Sequence, residues 1–442
     1  MTNELRLDEF KILDVKKEKD GSILYYVEPE IEDTACMRCG SISTVCNGTV
    51  TRYVRDLPSF GSPVALMVKQ HRYLCRDCGK TCVHELQSVE RVERITIRLK
   101  EQVKKEVLDS TFSAVGVKYG LSVTSIKKFF EEYVVDKQKE WVKYSPEILG
   151  IDEAHLCNNM RGVFVDVKNH GLIEMLPKRD KESVIEYLSS LPDRRNIRVV
   201  TMDMWRPYRD AVYETLPRAM IVVDKFHVIK EVTNAMESFR KEFQKALTKP
   251  RRISLKNSRW LMLRNEEDLN DEQRQKLKQL FGTYPELMYP YELKEAFRDI
   301  YNSGNRYIAE KKFEYWCEAI PENYTSFLAV KDTVRNWYRE IFNYFDYPYT
   351  NAITESINNL IKSIEKAGRG YTFEVIRAKV LYAPKAIRKP VYRPKPRMGN
   401  FYRSTIYSTI GNENEELVCG TMSDCGLLAE VIKTWKNPQS IQ

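Results

Sequence analysis

The chain has 442 residues, 43% apolar and 30% charged, which is too long for one ordinary core and predicts two to four domains. No stretch approaches the roughly 18 apolar residues of a membrane-spanning helix, and the opening MTNELRLDEFKILDVKKEKD lacks the apolar centre of a signal peptide. Membrane and secreted classes are therefore excluded in favour of a soluble cytoplasmic protein in a reducing compartment, and an excess of Lys and Arg over Asp and Glu, 71 to 62, leans toward a polyanionic partner.

The first organised segment runs from about Ala35 to Val83. Two knuckles, CMRCG and CRDCGK, flank two β-rich runs. In an unsecreted protein paired Cys-x-x-Cys turns point to metal rather than disulfides. Four thiolates, from Cys36, Cys39, Cys75 and Cys78, make the closed tetrahedral site of structural Zn²⁺, and the strands between them make a zinc ribbon. From Glu93 to Val135 the period becomes helical. Phe112, Val115 and Val117 lead to a turn at YGLS; Ser122 can cap the next helix, with Ile126, Phe129 and Phe130 on its buried face. As a helix-turn-helix this segment would turn Lys127 and Lys128 toward DNA. An ordinary helical hairpin fits the same pattern.

After WVKYSPE the pattern is α/β. ILGIDEAHL, RGVFVDVKN and GLIEMLP read as three strands, followed by a helix, the strand NIRVVTMDMW, a helix, and the strand AMIVVDKFHV. Three antiparallel strands followed by strand, helix, strand is the ribonuclease H-like order. Residues 231–345 are helical, rich in Lys, Arg, Trp and Tyr, and read as an all-α insertion. NAITESINNLIK then predicts an amphipathic helix: Ile353, Ile357, Leu360 and Ile364 form a buried stripe, and Asn351, Glu355, Asn358 and Lys362 a polar one. A basic stretch with interleaved aromatics, residues 381–403, carries Arg388, Lys389 and Arg393; it suits a strand-contacting arm, although a solvated linker would read the same.

Asp152 lies on the first core strand and Asp203 closes the fourth, which would pair beside it, so both carboxylates could meet at one end of the sheet. Glu355, at the border of its helix's apolar face, could complete an oxygen cage for Mg²⁺ or Mn²⁺, with Asn351, Asn358 and Lys362 toward a phosphate backbone. As an isolated residue Glu355 also reads as part of a solvated stripe. Asp224, with His227 nearby in VVDKFH, is the leading rival for the third position or for a supporting contact, and His227 also fits a packing role at a helix start.

In order, the CMRCG and CRDCGK ribbon, the helix-turn-helix, GIDE, TMDMW, VVDKFHVIK and TNAITESINNLIKSIEKAGRGYTF resemble the ISL-three family of bacterial insertion-sequence transposases, of the Asp-Asp-Glu class. The resemblance covers nearly the whole chain. It implies that Asp152, Asp203 and Glu355 are the catalytic and metal-holding triad, and that the long helical stretch is the family's insertion. It also implies that the N-terminal modules bind the element's terminal inverted repeats before strand cleavage and transfer into target DNA. The expected domains are a zinc-ribbon module (1–90), a helix-turn-helix domain (91–145), the first part of the core (146–230), the insertion (231–345), the closing catalytic helix (346–380) and a basic arm and tail (381–442). The expected partner is double-stranded DNA, bound as a homodimer at the bacterial nucleoid. A DNA-binding regulator with a catalytically silent core is the competing expectation. Cys419 and Cys425 have no place in the resemblance.

Overall fold

The computed structural model describes residues 5–31, 35–90, 92 and 94–382. Arg388, Lys389, Arg393, Cys419 and Cys425 lie outside the described residues. The described residues divide into two compact units, one of those up to Val142 together with those from Ser363 on, the other Lys143–Lys362.

The first unit is built on a seven-stranded sheet. Its strands are β1 (Phe10–Lys17), β2 (Ile23–Pro29), β3 (Thr44–Ser59), β4 (Ser62–Cys75), and the short β5 (Thr81–Cys82), β6 (Val89–Glu90) and β7 (Ile95–Thr96). The hairpin of β3 and β4 carries the alternating residues Val54, Val64, Leu66 and Val68, which pack on Phe10, Tyr25 and Val27. β1 and β2 precede the region in which the sequence shows a pattern. FKILDVKK is an edge strand with most of its side chains in water, so its sequence has little apolar alternation to reveal it.

Three helices follow: α1 (Ile97–Glu106), α2 (Phe112–Tyr119) and α3 (Val123–Glu140). Thr96, Thr111 and Ser122 each accept a hydrogen bond from a backbone N–H of the first turn, satisfying donors a helix start leaves open. Gly120, at φ 61°, ends α2. Phe112, Val115, Ile126, Phe129 and Phe130 are buried, while Val117 is 85% exposed. The last described helix, Phe373–Leu381, belongs to this unit too. Its Lys379 is buried, donates to the carbonyls of Val107 and Ser110, and sits 5.3 Å from the Phe112 and Tyr371 rings. Burial pushes the Lys379 ammonium down to about 8.

The second unit holds a five-stranded sheet of order β10-β9-β8-β11-β12. β8 (Ile148–Leu156), β9 (Asn159–Asp166) and β10 (Gly171–Leu176) form an antiparallel meander. After α4 (Lys181–Ser189), β11 (Val199–Met202) pairs parallel to β8, and after α5 (Arg206–Thr215), β12 (Met220–Val223) pairs parallel to β11. These strands are almost wholly apolar because both faces are covered, one by α4 and α5 and the other by Val167, Tyr344 and Tyr347. Leu149, Ile151, Val200 and Met202 meet Tyr208, Val212 and Leu188 on one face. Ile148, Val199 and Val222 lie in a second cluster with Val167.

α6 (Lys225–Lys245) opens a helical stretch that runs to Tyr338–Phe342. Its core is aromatic, with Trp316, Phe297, Phe327 and Phe342 packed around Val228 and Val232. Among the described residues no helix is long and apolar enough to cross a membrane.

The closing helix, Ala352–Gly368, returns the chain to the second unit's sheet. Its seat depends on Gly150, because a Cβ there would lie 2.8 Å from Thr354 Oγ1 and 3.0 Å from a Val167 methyl. Only the absence of a side chain on β8 allows so close an approach. The buried residues are Ile353, Thr354, Ile357, Asn358 and Ile361, a stripe rotated from the expected one, which had Leu360 and Ile364 in place of Ile361. The rotation also corrects two expected DNA contacts. Asn351 and Asn358 are 3% and 6% exposed. Thr201 Oγ1 donates to Asn351 Oδ1 at 2.7 Å, and Asn358 Nδ2 donates to Asp152 Oδ2 at 2.8 Å. Their amides meet polar groups that the sheet itself presents, so they pin the helix rather than face a phosphate backbone. Lys362, on the outer side, is exposed.

Gly150→Ala is expected to destabilise the protein by about 1–3 kcal/mol through overpacking. Adding Thr354→Ala should restore part of the loss, since it removes the nearest obstructing atom. Thermal denaturation of the two single variants and the double variant measures the coupling. Additive effects would mean that the helix does not rest on Gly150.

Candidate active site and cysteine cluster

Three parallel strands bring three carboxylates into one row. Gly150 pairs with Thr201, and Thr201 with Val222. Two residues further along each segment stand Asp152, Asp203 and Asp224. Side chains two apart on a strand share a face, so the row continues the line of Gly150 and Thr201, toward the closing helix. Neighbouring strands are about 4.8 Å apart, which sets the spacing at which these like charges must coexist.

Each carboxylate is held differently. Asp152 accepts from Asn358 Nδ2 and, at 2.7 Å, from the backbone N–H of Glu153. Burial, and then the charge of Asp203, push its carboxyl up to about 7. Asp203 Oδ1 lies 2.9 Å from His227 Nδ1, and Asp224 Oδ2 lies 3.4 Å from the same nitrogen. Hydrogen bonding to Asp203 and then to Asp224 pushes His227 up to about 10. The ring is therefore an imidazolium at neutral pH, placed between two carboxylates by the first turn of α6. Asp224 is 4% exposed, and its Oδ1 has no hydrogen-bond partner among the described residues.

Among the described residues, ligand atoms of Asp203, Asp224 and His227 converge within 4.8 Å of one another. Glu355 is not in that cluster. It is exposed in the first turn of the closing helix, one turn before the Asn358 that touches Asp152. The sequence reading placed Asp224 and His227 behind the triad, whereas here they adjoin Asp203 directly. An orphaned buried oxygen on Asp224 and a carboxyl at Asp152 driven toward protonation both fit a hard divalent cation, which favours oxygen donors.

Other neighbours had no separate signal in the sequence. Arg179 pairs with Glu153, the residue after Asp152, and its guanidinium lies 4.6 Å from the centre of the Trp205 ring. Tyr208 is buried beneath the site, and burial followed by the Glu153 charge raises its phenol well above the ordinary value. On α3, Lys127 is 55% exposed, 3.8 Å from Glu131; Lys128 is also exposed.

In the first unit, Cys36, Cys39, Cys75 and Cys78 bring their sulfurs within 4.8 Å of one another. The knuckles are built alike. Gly40 (φ 72°) and Gly79 (φ 68°) each donate a backbone N–H to the first cysteine's carbonyl, at 2.8 and 2.9 Å. Ser41 Oγ donates to Asp77 Oδ2 at 2.5 Å, tying one knuckle to the other. Cys36 and Cys78 sulfurs are 3.6 Å apart, as are those of Cys39 and Cys75. Four sulfurs about 2.3 Å from one tetrahedral ion would stand roughly 3.8 Å apart. Backbone N–H groups lower the Cys36 thiol to about 6 and also lower Cys75, toward the thiolate a metal requires, while hydrogen bonding to the neighbouring sulfurs pushes Cys39 up to about 12 and burial raises Cys78.

Comparison with known proteins supplies the family. A transposase family model matches residues 149–380, which is the sheet, the helical stretch and the closing helix. The chain belongs to the ISL3 family of transposases. A second family model, described as the zinc-finger of transposases IS204, IS1001, IS1096 and IS1165, matches residues 32–78. This transposase is similar to the "Transposase for insertion sequence element IS1001" of Bordetella parapertussis, at 27% identity over 78% of this chain and 87% of that one. It is also similar to the "Transposase for insertion sequence element IS1557" of Mycobacterium tuberculosis, at 28% identity over 35% of this chain and 41% of that one.

Two pH windows follow from the carboxylate row. The Asp152 pKa is raised on folding, so the native state holds an extra proton from about pH 4 to 7, and stability falls as pH rises through that window. His227 is raised from 6.5 to about 10, so its ion pairs stabilise fully below 6.5 and are lost as pH rises through 10. In magnesium-free buffer, Asp152→Asn should flatten the stability profile below pH 7 and His227→Gln above it. Thermal denaturation across pH 4.5 to 10 checks both, and a parent-like profile in either variant would contradict the assignment.

Proposed function

We propose that this transposase binds the terminal inverted repeats of an insertion sequence and carries out Mg²⁺-dependent strand cleavage and strand transfer. The observation that carries the reading is the row of Asp152 and Asp203 on adjacent parallel strands of the five-stranded sheet, with the helix that bears Glu355 pinned to the same strands by Asn351 and Asn358; a ribonuclease H-like core is the fold this reading implies. Asp152, Asp203 and Glu355 are the catalytic, metal-holding set. When bound, divalent ions supply the chemistry of in-line phosphoryl displacement, activating the attacking oxygen and stabilising the leaving one.

The chain's own residues prepare that site. Asn358 and the Glu153 N–H fix the orientation of Asp152. The His227 imidazolium holds Asp203 and Asp224 together against their repulsion. Gly150 and Thr354 set the height of the closing helix above the sheet. Asp224 in place of Glu355 is the second reading for the third ligand, favoured by its position in the row and its orphaned Oδ1. DNA recognition falls to the zinc ribbon and to α2 and α3 as a helix-turn-helix, with Lys127 and Lys128 on the exposed side of α3. Lys362 adds a cation beside the catalytic helix, and the arm carrying Arg388, Lys389 and Arg393 adds strand contacts. An acidic row retained at a buried strand end, where it destabilises the fold, argues against a catalytically silent regulator.

With Mg²⁺ and DNA carrying element ends, Asp152→Asn, Asp203→Asn and Glu355→Gln should each reduce nicking by about a thousandfold, roughly 4 kcal/mol of barrier, while leaving end binding nearly intact. Double variants should be little worse than single ones. Mapping nicks on labelled DNA checks this. Wild-type cleavage in Glu355→Gln, with loss in Asp224→Asn, moves the third ligand to the end of β12.

The cysteine cluster should hold one Zn²⁺ per chain. Stripping it should unfold the ribbon, because small metal modules fold only with their ion. Elemental analysis of protein purified without chelator, set beside Cys36→Ser, is the check; equal zinc content in the two would reject the assignment.

A further inference from the structure

Beside the carboxylate row, on the Trp205 side, a cavity of about 650 Å³ opens between the start of β9, the segment before α4 and the start of α5. That volume lies in the range of small-molecule sites. Trp205, Met160 and Pro207 give it an apolar wall, and Lys178, Arg179 and Lys181 a basic rim. Trp205 is 39% exposed, with part of its ring open to the cavity. Arg179 stacks against it at 4.6 Å and pairs with Glu153. The backbone N–H of Trp205 donates to the Asp203 carbonyl at 2.7 Å, in the turn that leaves β11. The aromatic wall is therefore linked through Arg179 to the neighbour of Asp152, and its ring stands two residues beyond Asp203 on the chain.

The rim also contains acids. Asp180 accepts from the Ser183 N–H as a helix cap, at 2.9 Å, and Glu182 is exposed. Lys181 lies 3.0 Å from Glu214, and Lys178 is exposed at the edge. An exposed indole backed by a guanidinium, with two lysines lining the same cavity, is the chemistry of a stacking platform for single-stranded nucleic acid.

We propose that this cavity receives one unpaired nucleobase of the DNA strand next to the cut phosphate, stacked on Trp205, with its phosphates toward Lys178 and Lys181. The placement beside the cut rests on the transposase reading above; the base-binding chemistry does not. A base drawn out of its stack fixes the position of the neighbouring phosphate, so the cavity would select which phosphate enters the carboxylate row.

The test uses the full chain without Mg²⁺ and a twelve-nucleotide single strand containing 2-aminopurine. The parent should bind it and quench its fluorescence. Trp205→Ala should lose the quenching and bind about tenfold more weakly, as expected for one base–aromatic stack, while Trp205→Phe keeps most of both. Lys178→Ala with Lys181→Ala should make the salt dependence shallower by about 0.7 per lost phosphate contact. Parent-like quenching and affinity in Trp205→Ala would overturn the proposal, as would a Trp205→Phe as weak as Trp205→Ala. Strand cleavage by the parent and by Asp152→Asn is measured in parallel. Cleavage that depends on Asp152 but quenching that ignores Trp205 rejects the cavity alone; the reverse pattern rejects the catalytic reading alone.

Discussion

Repulsion among buried carboxylates is the constraint around which the second unit is arranged. Asp152, Asp203 and Asp224 end up in line because three parallel strands in register leave them no other place. In an apolar setting such a row is unfavourable, and each neighbour offsets part of the strain. The imidazolium of His227 neutralises one pair, the amide of Asn358 orients the third acid, and the proton that Asp152 tends to keep removes one charge at acidic pH. The site is thus less stable than the apolar sheet beneath it, as expected where function and folding make opposite demands.

The closing helix meets this row through contacts that depend on small details. Gly150 clears a space for Thr354, Thr201 binds Asn351, and Asn358 reaches Asp152. None of these is an apolar contact, yet together they fix the rotation of the helix about its own axis. Rotation decides whether Glu355 can approach the strand ends, so the polar seat governs the distance between that carboxylate and the aspartate row.

The parts of this arrangement legible in the sequence were those that leave a periodic or repeated trace. The two Cys-x-x-Cys-Gly knuckles repeat a turn that needs a left-handed glycine, and the structure places all four sulfurs together. The apolar runs ending in Asp152, Asp203 and Asp224 announced buried strands with polar ends. What stayed hidden depends on register or on partners far along the chain. Isoleucine and leucine at neighbouring helix positions do not say which is inside, so the pattern alone hides Ile361 and turns Asn351 and Asn358 outward. β1 leaves no trace because nearly all its side chains, on both faces, stand in water. The link of His227 to Asp203 needs the β11–β12 pairing, which no local pattern encodes. The stack of Arg179 on Trp205 is likewise a meeting of two loops.

The bond from Asn358 to Asp152 joins residues 206 apart in sequence. During synthesis the sheet strands emerge first, then the helical stretch, and only then the helix that closes the site. At a pace of about 5–20 residues per second, roughly 7 to 27 seconds separate the emergence of β12 from that of Asn358. Through that interval the nascent chain carries its acids without the amide that orients one of them. The length of the helical stretch therefore acts as a timer, since the amide that orients Asp152 arrives only when nearly the whole described chain has left the ribosome.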